Sequence, residues 1–311
     1  MNIVCVESLG IDREYFERQK SRYASNGHTF VYYLDRREDE ATLVERMHDA
    51  DIVIISNIRL SADVLRQCPH LRYLSVAFTG LDHIDLDYCS EHGITVQNAA
   101  GYSTTAVSEL AIGMMLDLLR RVTTFDGLIR QGAARGAFLG RELHGKTVGI
   151  VGTGAIGIAT ARLAMAFGAK VFAYSRTHRW EVEALGVRYM PLDEMLKEAD
   201  IVSLHLPLNA ETRGLIGAAE LALMKPTAIL VNTARGPVCD IEAVAKALHE
   251  GRIAGAAFDV FEKEPPIPSD HPMLTTPNTL LTPHVAFATE ESFAARADIV
   301  FMHIDEYLRS L

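Results

Sequence analysis

The chain contains 311 residues, of which 49% are hydrophobic and 23% are charged, and its formal net charge is −10 at pH 7. This length is natural for two domains, and the composition is ordinary for a soluble globular protein. The acidic balance, with no basic stretch long enough to offset it, argues against nucleic acid as a partner. An anionic ligand must therefore be held by local positive charge.

The cysteines and the apolar segments of the sequence indicate the cellular compartment of the protein. The four cysteines are widely separated and form no C-x-x-C pair, so we expect reduced thiols rather than a disulfide framework or a zinc site. The first residues, "MNIVCVESLG", lack the basic start and the apolar length of a signal peptide. The apolar segment "AVSELAIGMMLDLL" is interrupted by Glu109 and Asp117 and is not a membrane span. We expect a cytoplasmic protein with no membrane partner, and no metal ion, because the histidines show no metal-ligand spacing.

Short apolar runs alternate with longer amphipathic runs in the first part of the chain. The apolar runs predict strands, and the amphipathic runs between them predict helices such as residues 12–25 and 40–49. The predicted strands cover residues 2–6, 29–33, 51–55 and 71–76. Because parallel strands need crossover connections, strand–helix alternation predicts a doubly wound parallel sheet.

A second round of the same pattern follows an apolar helix that we place at about residues 104–128. Its predicted strands lie within residues 146–152, 170–175, 200–206, 228–232 and 254–260. A last helix, at about residues 290–308, is placed to return to the first domain. The sequence thus predicts an α/β protein of two doubly wound parallel-sheet domains, one formed by residues 1–99 and 287–311 and the other by residues 100–286.

A glycine-rich loop opens the second round. "TVGIVGTGAIG" runs from a strand pattern directly into G-x-G-x-x-G, and a helix pattern follows. The first glycine permits a tight turn, the second lets the backbone approach a pyrophosphate, and the third allows close helix–strand packing. In this context the motif predicts a dinucleotide site that includes Gly152, Gly154, Ala155, Ile156 and Gly157.

The strand after such a loop commonly ends in Asp or Glu, which binds the adenosine ribose hydroxyls and repels a 2′-phosphate. Here that place holds Ser175 and then Arg176. Arg176, with Arg179 nearby, can bind a phosphate dianion. We therefore favour NADP over NAD and take Ser175, Arg176, Thr177 and Arg179 as cofactor-binding candidates. The alternative is that the arginines lie on a solvated loop.

Three later segments each carry polar residues just after an apolar strand pattern. Arg235 follows residues 228–232, Asp259 and Glu264 fall within "FDVFEKEP", and His284 falls within "TPHVA". In open α/β sheets, ligands bind beyond the carboxyl ends of the strands, so these side chains are expected to converge.

Together these motifs resemble the D-2-hydroxyacid dehydrogenase family. The resemblance spans essentially the whole chain and rests on an ordered set: "GTGAIG", "HLPLNAETRGLI" (205–216), "VNTARG" (231–236), "FDVFEKEP" (258–265) and "TPHVA" (282–286). "VAFTGLDHID" (76–85) and "GYSTTAVSELAIGMML" (101–116) are similar to that family's substrate loop and interdomain helix. The resemblance implies a Rossmann-type cofactor domain and a flavodoxin-like substrate domain, with an activity like that of glyoxylate and hydroxypyruvate reductases.

The resemblance also implies a role for each catalytic candidate. Arg235 would hold the substrate carboxylate and polarise the C2 oxygen, a role that suits a planar fork of donors. His284 would give a proton to the developing alkoxide in reduction and take it back in oxidation. Glu264 would hold the other imidazole nitrogen and raise the pKa of the ring. Asp259 would hydrogen-bond the nicotinamide side of the cofactor, which itself carries the hydride chemistry.

Further contacts follow from the same resemblance. The backbone of Phe78, Thr79 and Gly80 is expected to donate to the substrate carboxylate, beside Arg235 and His284. Phe78 stands where many relatives have a smaller residue, which bears on the size of the substrate. The remaining cofactor-binding candidates are His205, Pro207, Thr212 and Thr233.

The predicted function is hydride transfer between NAD(P)H and a 2-keto acid, giving a D-2-hydroxy acid. Two alternatives stay open: oxidation of a small anion such as phosphite or formate on the same scaffold, and a nicotinamide-sensing corepressor without turnover. A homodimer is expected, partly by resemblance and partly because the helix over residues 104–128 carries a broad apolar surface.

Overall fold

The structure is a computed structural model that describes residues 1–263 and 266–311. By internal contacts the chain divides into two units, one formed by Met1–Ser103 and Ala288–Leu311 and the other by Thr104–Phe287. No helix in the described ranges combines the length and the apolar character needed to cross a membrane. The four cysteines are buried and free, and within the same ranges there is no cluster of potential metal ligands.

Strands and helices alternate along both units. The strands are β1 (Asn2–Cys5), β2 (Thr29–Tyr32), β3 (Ile52–Ile55), β4 (Tyr73–Val76), β5 (Thr95–Asn98), β6 (Thr147–Val151), β7 (Lys170–Tyr174), β8 (Arg188–Tyr189), β9 (Ile201–Leu204), β10 (Ile229–Asn232), β11 (Gly255–Phe258) and β12 (Thr279–Leu281). The α-helices are α1 (Arg13–Ser25), α2 (Glu40–Met47), α3 (Ala62–Leu65), α4 (Leu86–Glu91), α5 (Thr104–Arg120), α6 (Val122–Arg130), α7 (Ala155–Ala166), α8 (Trp180–Glu183), α9 (Leu192–Glu198), α10 (Ala218–Leu223), α11 (Ile241–His249) and α12 (Glu290–Arg309).

The first unit is a five-stranded sheet in the order β2-β1-β3-β4-β5, and all its strand pairs are parallel. This is the flavodoxin-like order. The central strands β3 and β4 are buried along their whole length, as expected for apolar strands inside a parallel sheet. The helices begin at polar caps, such as Asp12 for α1 and Asp39 for α2, each of which accepts from a main-chain N–H three residues on.

The second unit is a seven-stranded parallel sheet in the order β12-β11-β10-β9-β6-β7-β8. The chain winds outward in both directions from β6, whose neighbours are β9 and β7. Ligands of such sheets bind beyond the carboxyl ends of the strands at this switch point. The prediction of two doubly wound parallel sheets is therefore confirmed.

The prediction of one continuous apolar helix over residues 104–128 is wrong. Helix α5 ends at Arg120, Arg121 adopts a left-handed conformation with φ of +53°, and α6 begins at Val122. The Asp117 carboxylate accepts from the Thr123 N–H at 2.7 Å and from the Thr123 hydroxyl at 2.8 Å, which stabilises the new helix start. A side chain of α5 thus caps the first turn of α6.

The apolar surface of α5 is also used inside its own unit. Five of its eight buried residues share one core cluster with residues of β6 and α7: Ala111, Ile112, Met114, Met115 and Leu119. The sequence-based reason for a dimer interface on this helix therefore does not hold. Helix α6, by contrast, has no buried residue.

Candidate active site

The glycine loop lies at the switch point of the second sheet. Gly152 has φ of +100°, and a Cβ there would meet the His205 carbonyl oxygen at 2.6 Å. A Cβ at Gly157 would collide with the Gly152 carbonyl, so helix and loop pack closer than any side chain allows. Gly154, by contrast, is the N-cap of α7 and faces open space. The loop therefore leaves room for an anion at a helix N-terminus, which favours negative charge.

The loop after β7 is linked to the glycine loop by a tyrosine. The Tyr189 hydroxyl, at the end of β8, donates to Thr153 Oγ1 at 2.9 Å and accepts from the Arg179 N–H at 3.3 Å. The His178 ring stacks on the Tyr189 ring with centroids 4.1 Å apart. The segment that carries the phosphate-binding candidates is thus held against the loop expected to bind the pyrophosphate.

Arg176 has a carboxylate partner. Its Nη1 donates to Glu211 Oε2, and both side chains are about two-thirds exposed. Glu211 lies in the loop after β9, where the Asn209 side chain accepts from the N–H groups of Glu211 and Thr212. Because β6 lies between β7 and β9, this ion pair joins two loops that flank the glycine loop. Sequence analysis identified neither Glu211 nor Tyr189.

The loop after β9 contains further cofactor-binding candidates. The Thr212 hydroxyl donates to the Pro207 carbonyl at 2.7 Å and so closes the turn. His205 Nε2 lies 2.9 Å from Ser203 Oγ. Burial lowers the pKa of His205 to about 4, so the ring is neutral near pH 7.

The loops that follow β10, β11 and β12 are joined by main-chain hydrogen bonds. The ends of these strands are level, since Asn232 pairs with Phe258 and Phe258 with Leu281. The Asp259 N–H donates to the Asn232 carbonyl at 3.0 Å, and the His284 N–H donates to the Asp259 carbonyl at 2.7 Å. The three loops therefore form one connected edge.

Asn232 positions the arginine loop. This fully buried side chain donates to the Arg235 carbonyl at 2.9 Å and accepts from the Ala234 N–H at 3.0 Å. Its main-chain carbonyl receives the Asp259 N–H. Asn232 thus connects the Arg235 loop with the Asp259 loop, a function that sequence analysis did not identify although the residue lies in "VNTARG".

Asp259 is fully buried, and its carboxylate holds the histidine loop. One oxygen accepts from the Thr282 hydroxyl at 2.5 Å and from the Val285 N–H at 2.8 Å, and the other accepts from the Ala286 N–H at 2.8 Å. Burial raises the pKa of Asp259, although these donors act in the opposite direction. The structure gives Asp259 a supporting contact to the segment that carries His284; its contact with the nicotinamide remains a prediction.

His284 itself has φ of +55°, a left-handed conformation that only a few per cent of non-glycine residues adopt. Its ring meets the Phe287 ring edge-on, with centroids 5.4 Å apart. Glu264, the predicted partner of His284, lies outside the described residues.

The predicted substrate loop follows β4 in the first unit. The Phe78 carbonyl accepts from the Ala99 N–H at 3.1 Å, and the Thr79 carbonyl accepts from the Asn98 side chain at 2.5 Å. Both carbonyls are thus bonded to the end of β5 and the residue after it, which fixes the loop that ends in Gly80. The Phe78 ring is buried, 6% exposed, and lies edge-on to His83 at 6.2 Å.

Three of the predicted site residues keep a buried polar atom that has no hydrogen-bond partner in the described part of the chain. These atoms are Thr79 Oγ1, His205 Nδ1 and Thr233 Oγ1. Buried polar groups are nearly always paired, so unpaired ones in a predicted site indicate ligand-binding positions. Together with the open space at Gly154, His205 and Thr233 fit a nicotinamide dinucleotide beyond β6, β9 and β10.

A doubly wound sheet with a glycine loop at its switch point, and with arginine and histidine loops beyond β10 and β12 on either side of β11, defines the class of nicotinamide-dependent dehydrogenases. Comparison with known proteins narrows this class. Residues 112–286 match the family model of the D-isomer specific 2-hydroxyacid dehydrogenase NAD-binding domain. The chain is 41% identical over 275 residues to the glyoxylate reductase of Thermofilum pendens. The aligned region covers 86% of this chain and 81% of that protein.

Solved structures with a similar fold belong to the same class of nicotinamide-dependent enzymes. An acyclic imino acid reductase in complex with NADPH and D-Arg superimposes with a TM-score of 0.91 at 28% identity, covering 100% of this chain and 98% of that one. D-lactate dehydrogenase from Aquifex aeolicus, complexed with NAD and lactic acid, gives a TM-score of 0.85 at 30% identity over 99% and 96% of the two chains. The chain belongs to the D-isomer-specific 2-hydroxyacid dehydrogenase family.

The resemblance found in the sequence is therefore confirmed. The protein is an NAD(P)-dependent oxidoreductase that interconverts a 2-keto acid and a D-2-hydroxy acid. The corepressor and the small-anion alternatives are not favoured by these comparisons.

Proposed function

We propose that this enzyme reduces a small 2-keto acid of the glyoxylate type with NADPH, using Arg235, Glu264 and His284. The observation that carries the proposal is the connected edge formed by the Arg235, Asp259 and His284 loops. A carboxylate-binding guanidinium and a proton-donating imidazole need fixed relative positions, and this edge joins their loops through Asn232 and Asp259.

In this proposal each side chain acts on one part of the reaction. Arg235 binds the substrate carboxylate and polarises the C2 oxygen. His284 donates a proton to that oxygen as negative charge develops, and Glu264 orients the ring. The bound nicotinamide supplies the hydride.

The proposal of a small substrate involves the loop after β4 and the known relatives. The main-chain groups of Phe78, Thr79 and Gly80 bind the carboxylate, while the buried Phe78 ring packs inside its unit. The similarity to a glyoxylate reductase supports a keto acid with little or no side chain.

NADP is the proposed cofactor. The residues that directly follow β7 in the chain include no acid to repel a 2′-phosphate; Ser175, Arg176, Thr177 and Arg179 lie there instead. Glu211 opposes this preference, because it neutralises Arg176. The solved relatives named above contain either NADPH or NAD, so the preference depends on these local charges.

We also propose a cytoplasmic homodimer. The four buried free cysteines suit a reducing compartment. The proposed partner is a second copy of the chain, seated on α6 and the segment after it. Val122, Ile129 and Leu139 are 59%, 68% and 78% exposed there, which is unusual for large apolar side chains close together in the chain.

A panel of 2-keto acids tests the reaction directly. Purified enzyme with NADPH should consume the reduced nicotinamide on adding glyoxylate, hydroxypyruvate or pyruvate, and Arg235→Met and His284→Gln should each lose most of this activity. Adding arginine or ammonium with each keto acid shows whether an imino acid is the better substrate, as the likeness to the imino acid reductase suggests. Absence of turnover on every member contradicts the proposal.

A further inference from the structure

A guanidinium is buried at the carboxyl edge of the first sheet. Arg296, on α12, is only 3% exposed. Its Nη2 donates to the Leu9 carbonyl at 2.6 Å, and its Nη1 lies 3.2 Å from Ser56 Oγ and 3.3 Å from the Ala77 carbonyl oxygen. These three acceptors follow β1, β3 and β4, which are neighbours in the sheet. Arginine is almost never fully buried unless it is paired, so this side chain needs an explanation.

Two aromatic rings cover the guanidinium. Its Cζ lies 4.3 Å from the centroid of the Phe293 ring and 5.6 Å from that of Tyr102. Such rings attract a cation through their electron-rich faces and exclude water. The charge of Arg296 is therefore held in a poorly solvated place.

The hydrogen-bond acceptors of Arg296 are neutral. The buried acid of this region, Glu7, is 2% exposed, but its carboxylate accepts from Arg36 at 2.6 Å and from the Ser56 N–H at 2.8 Å. The partners of Arg296 thus include two carbonyls, the Ser56 hydroxyl and the Tyr102 side chain, while the Glu7 carboxylate accepts from other donors. Glu7 is close enough to attract Arg296 and opposes its field, but a poorly solvated cation whose hydrogen-bond partners are neutral still makes its surroundings more favourable for an anion.

One of the three acceptors belongs to the predicted substrate loop. The Ala77 carbonyl and the Phe78 N–H are the two ends of one peptide group. A hydrogen bond to the carbonyl polarises the peptide and strengthens its N–H as a donor. The Arg296 contact therefore fixes and polarises the first of the amides expected to bind the substrate carboxylate.

We propose that Arg296 is a positioning residue for substrate binding: it holds the Ala77–Phe78 peptide in place and makes this edge of the sheet electropositive for the substrate carboxylate. The proposal rests on the function proposed above for Phe78, Thr79 and Gly80. A guanidinium that only anchored α12 would affect the stability of the fold without a specific effect on substrate binding.

The test compares Arg296→Met, Arg296→Lys and Glu7→Gln with the wild-type enzyme. Arg296→Met should raise KM for glyoxylate about tenfold, because the substrate carboxylate loses a nearby positive charge and a fixed, polarised Phe78 N–H, and it should leave KM for NADPH unchanged. In Arg296→Lys, which keeps the positive charge, KM for glyoxylate should lie between the values of the wild type and of Arg296→Met. Glu7→Gln should lower KM for glyoxylate although it also lowers Tm, because it removes the opposing charge.

The positioning role predicts opposite changes of KM for glyoxylate in Arg296→Met and Glu7→Gln, whereas a purely structural role does not. If Arg296→Met and Glu7→Gln both raise KM for glyoxylate, or if neither moves it, the positioning role is overturned. Should Arg296→Met fail to fold, Arg296→Lys and Glu7→Gln still decide the question. Calorimetric binding of oxamate, an unreactive keto-acid analogue, to the NADPH complex should follow the same order. Wild-type enzyme that reduces no keto acid contradicts the proposed function itself, which is a different result.

Discussion

Asp259 holds His284 by the main chain and holds the residues after it by the side chain. The Asp259 carbonyl accepts from the His284 N–H, and the Asp259 carboxylate accepts from the N–H groups of Val285 and Ala286. One buried residue thus fixes a histidine that has a positive φ. A strained, over-determined conformation of this kind is typical of active sites.

Replacing this carboxylate should therefore impair both stability and activity. In Asp259→Asn an amide N–H2 faces a main-chain donor, so at least one buried group loses its partner, and we expect a loss of about 2–4 kcal/mol in unfolding free energy. Because small displacements of reacting groups are costly, kcat should fall about tenfold to a hundredfold. Thr282→Val, which removes only one donor to Asp259, is the matched control and should have a smaller effect on both. Wild-type kcat in a destabilised Asp259→Asn would show that Asp259 serves the fold alone.

The ion pair between Arg176 and Glu211 should influence cofactor choice. Removing the acid in Glu211→Gln frees Arg176 for a 2′-phosphate, and since an exposed pair is worth about 0–1 kcal/mol, KM for NADPH should fall about twofold to fivefold. KM for NADH should not change. Glu250→Gln breaks the exposed pair with Lys246 on α11 and serves as the control.

The arginine itself should have a larger effect. In Arg176→Ala, KM for NADPH should rise about tenfold or more, the value of a charge-assisted hydrogen bond. Combined with Ser175→Asp, the preference should turn to NADH, because the new carboxylate binds the ribose hydroxyls and repels the phosphate. An unchanged NADPH-to-NADH ratio in this double variant contradicts the proposed cofactor preference.

The elements that sequence analysis predicted correctly are those encoded locally. The β6 strand, the glycine loop and α7 follow from hydrophobic periodicity and from three spaced glycines, of which Gly152 and Gly157 have a steric reason. Strand–helix alternation then requires a parallel sheet. The end of α5 was missed, because the apolar pattern continues through Arg121 and the break depends on the Asp117 side chain.

The residues that support the site were missed for a different reason. Asn232, Tyr189 and Arg296 act through hydrogen bonds to residues distant in the chain or through main-chain contacts between adjacent loops. Polar residues of these types occur throughout the sequence, and nothing in their spacing marks them. Their functions become visible only when strand order brings the loops together.

The exposed apolar side chains on α6 and after it predict a concentration-dependent dimer. Ile129→Glu together with Leu139→Glu places charge in the proposed interface and should give a monomer by light scattering, because a buried unpaired charge is costly. Met302→Glu, at an apolar residue of α12 that is 47% exposed, is the control and should leave the assembly unchanged. A wild-type monomer at micromolar concentration contradicts the dimer.

Acid should destabilise the protein partly through His205. Its pKa is lowered from 6.5 to about 4 in the folded chain, so between these values the unfolded chain takes up a proton that the folded chain does not. Stability therefore falls as the pH falls across this window, by up to about 3 kcal/mol from this residue. In His205→Gln the loss of unfolding free energy between pH 7 and pH 4.5 should be smaller than in wild type. His249→Gln, at an exposed position on α11, should leave the loss unchanged; equal losses in all three proteins would show that folding does not lower the pKa of His205.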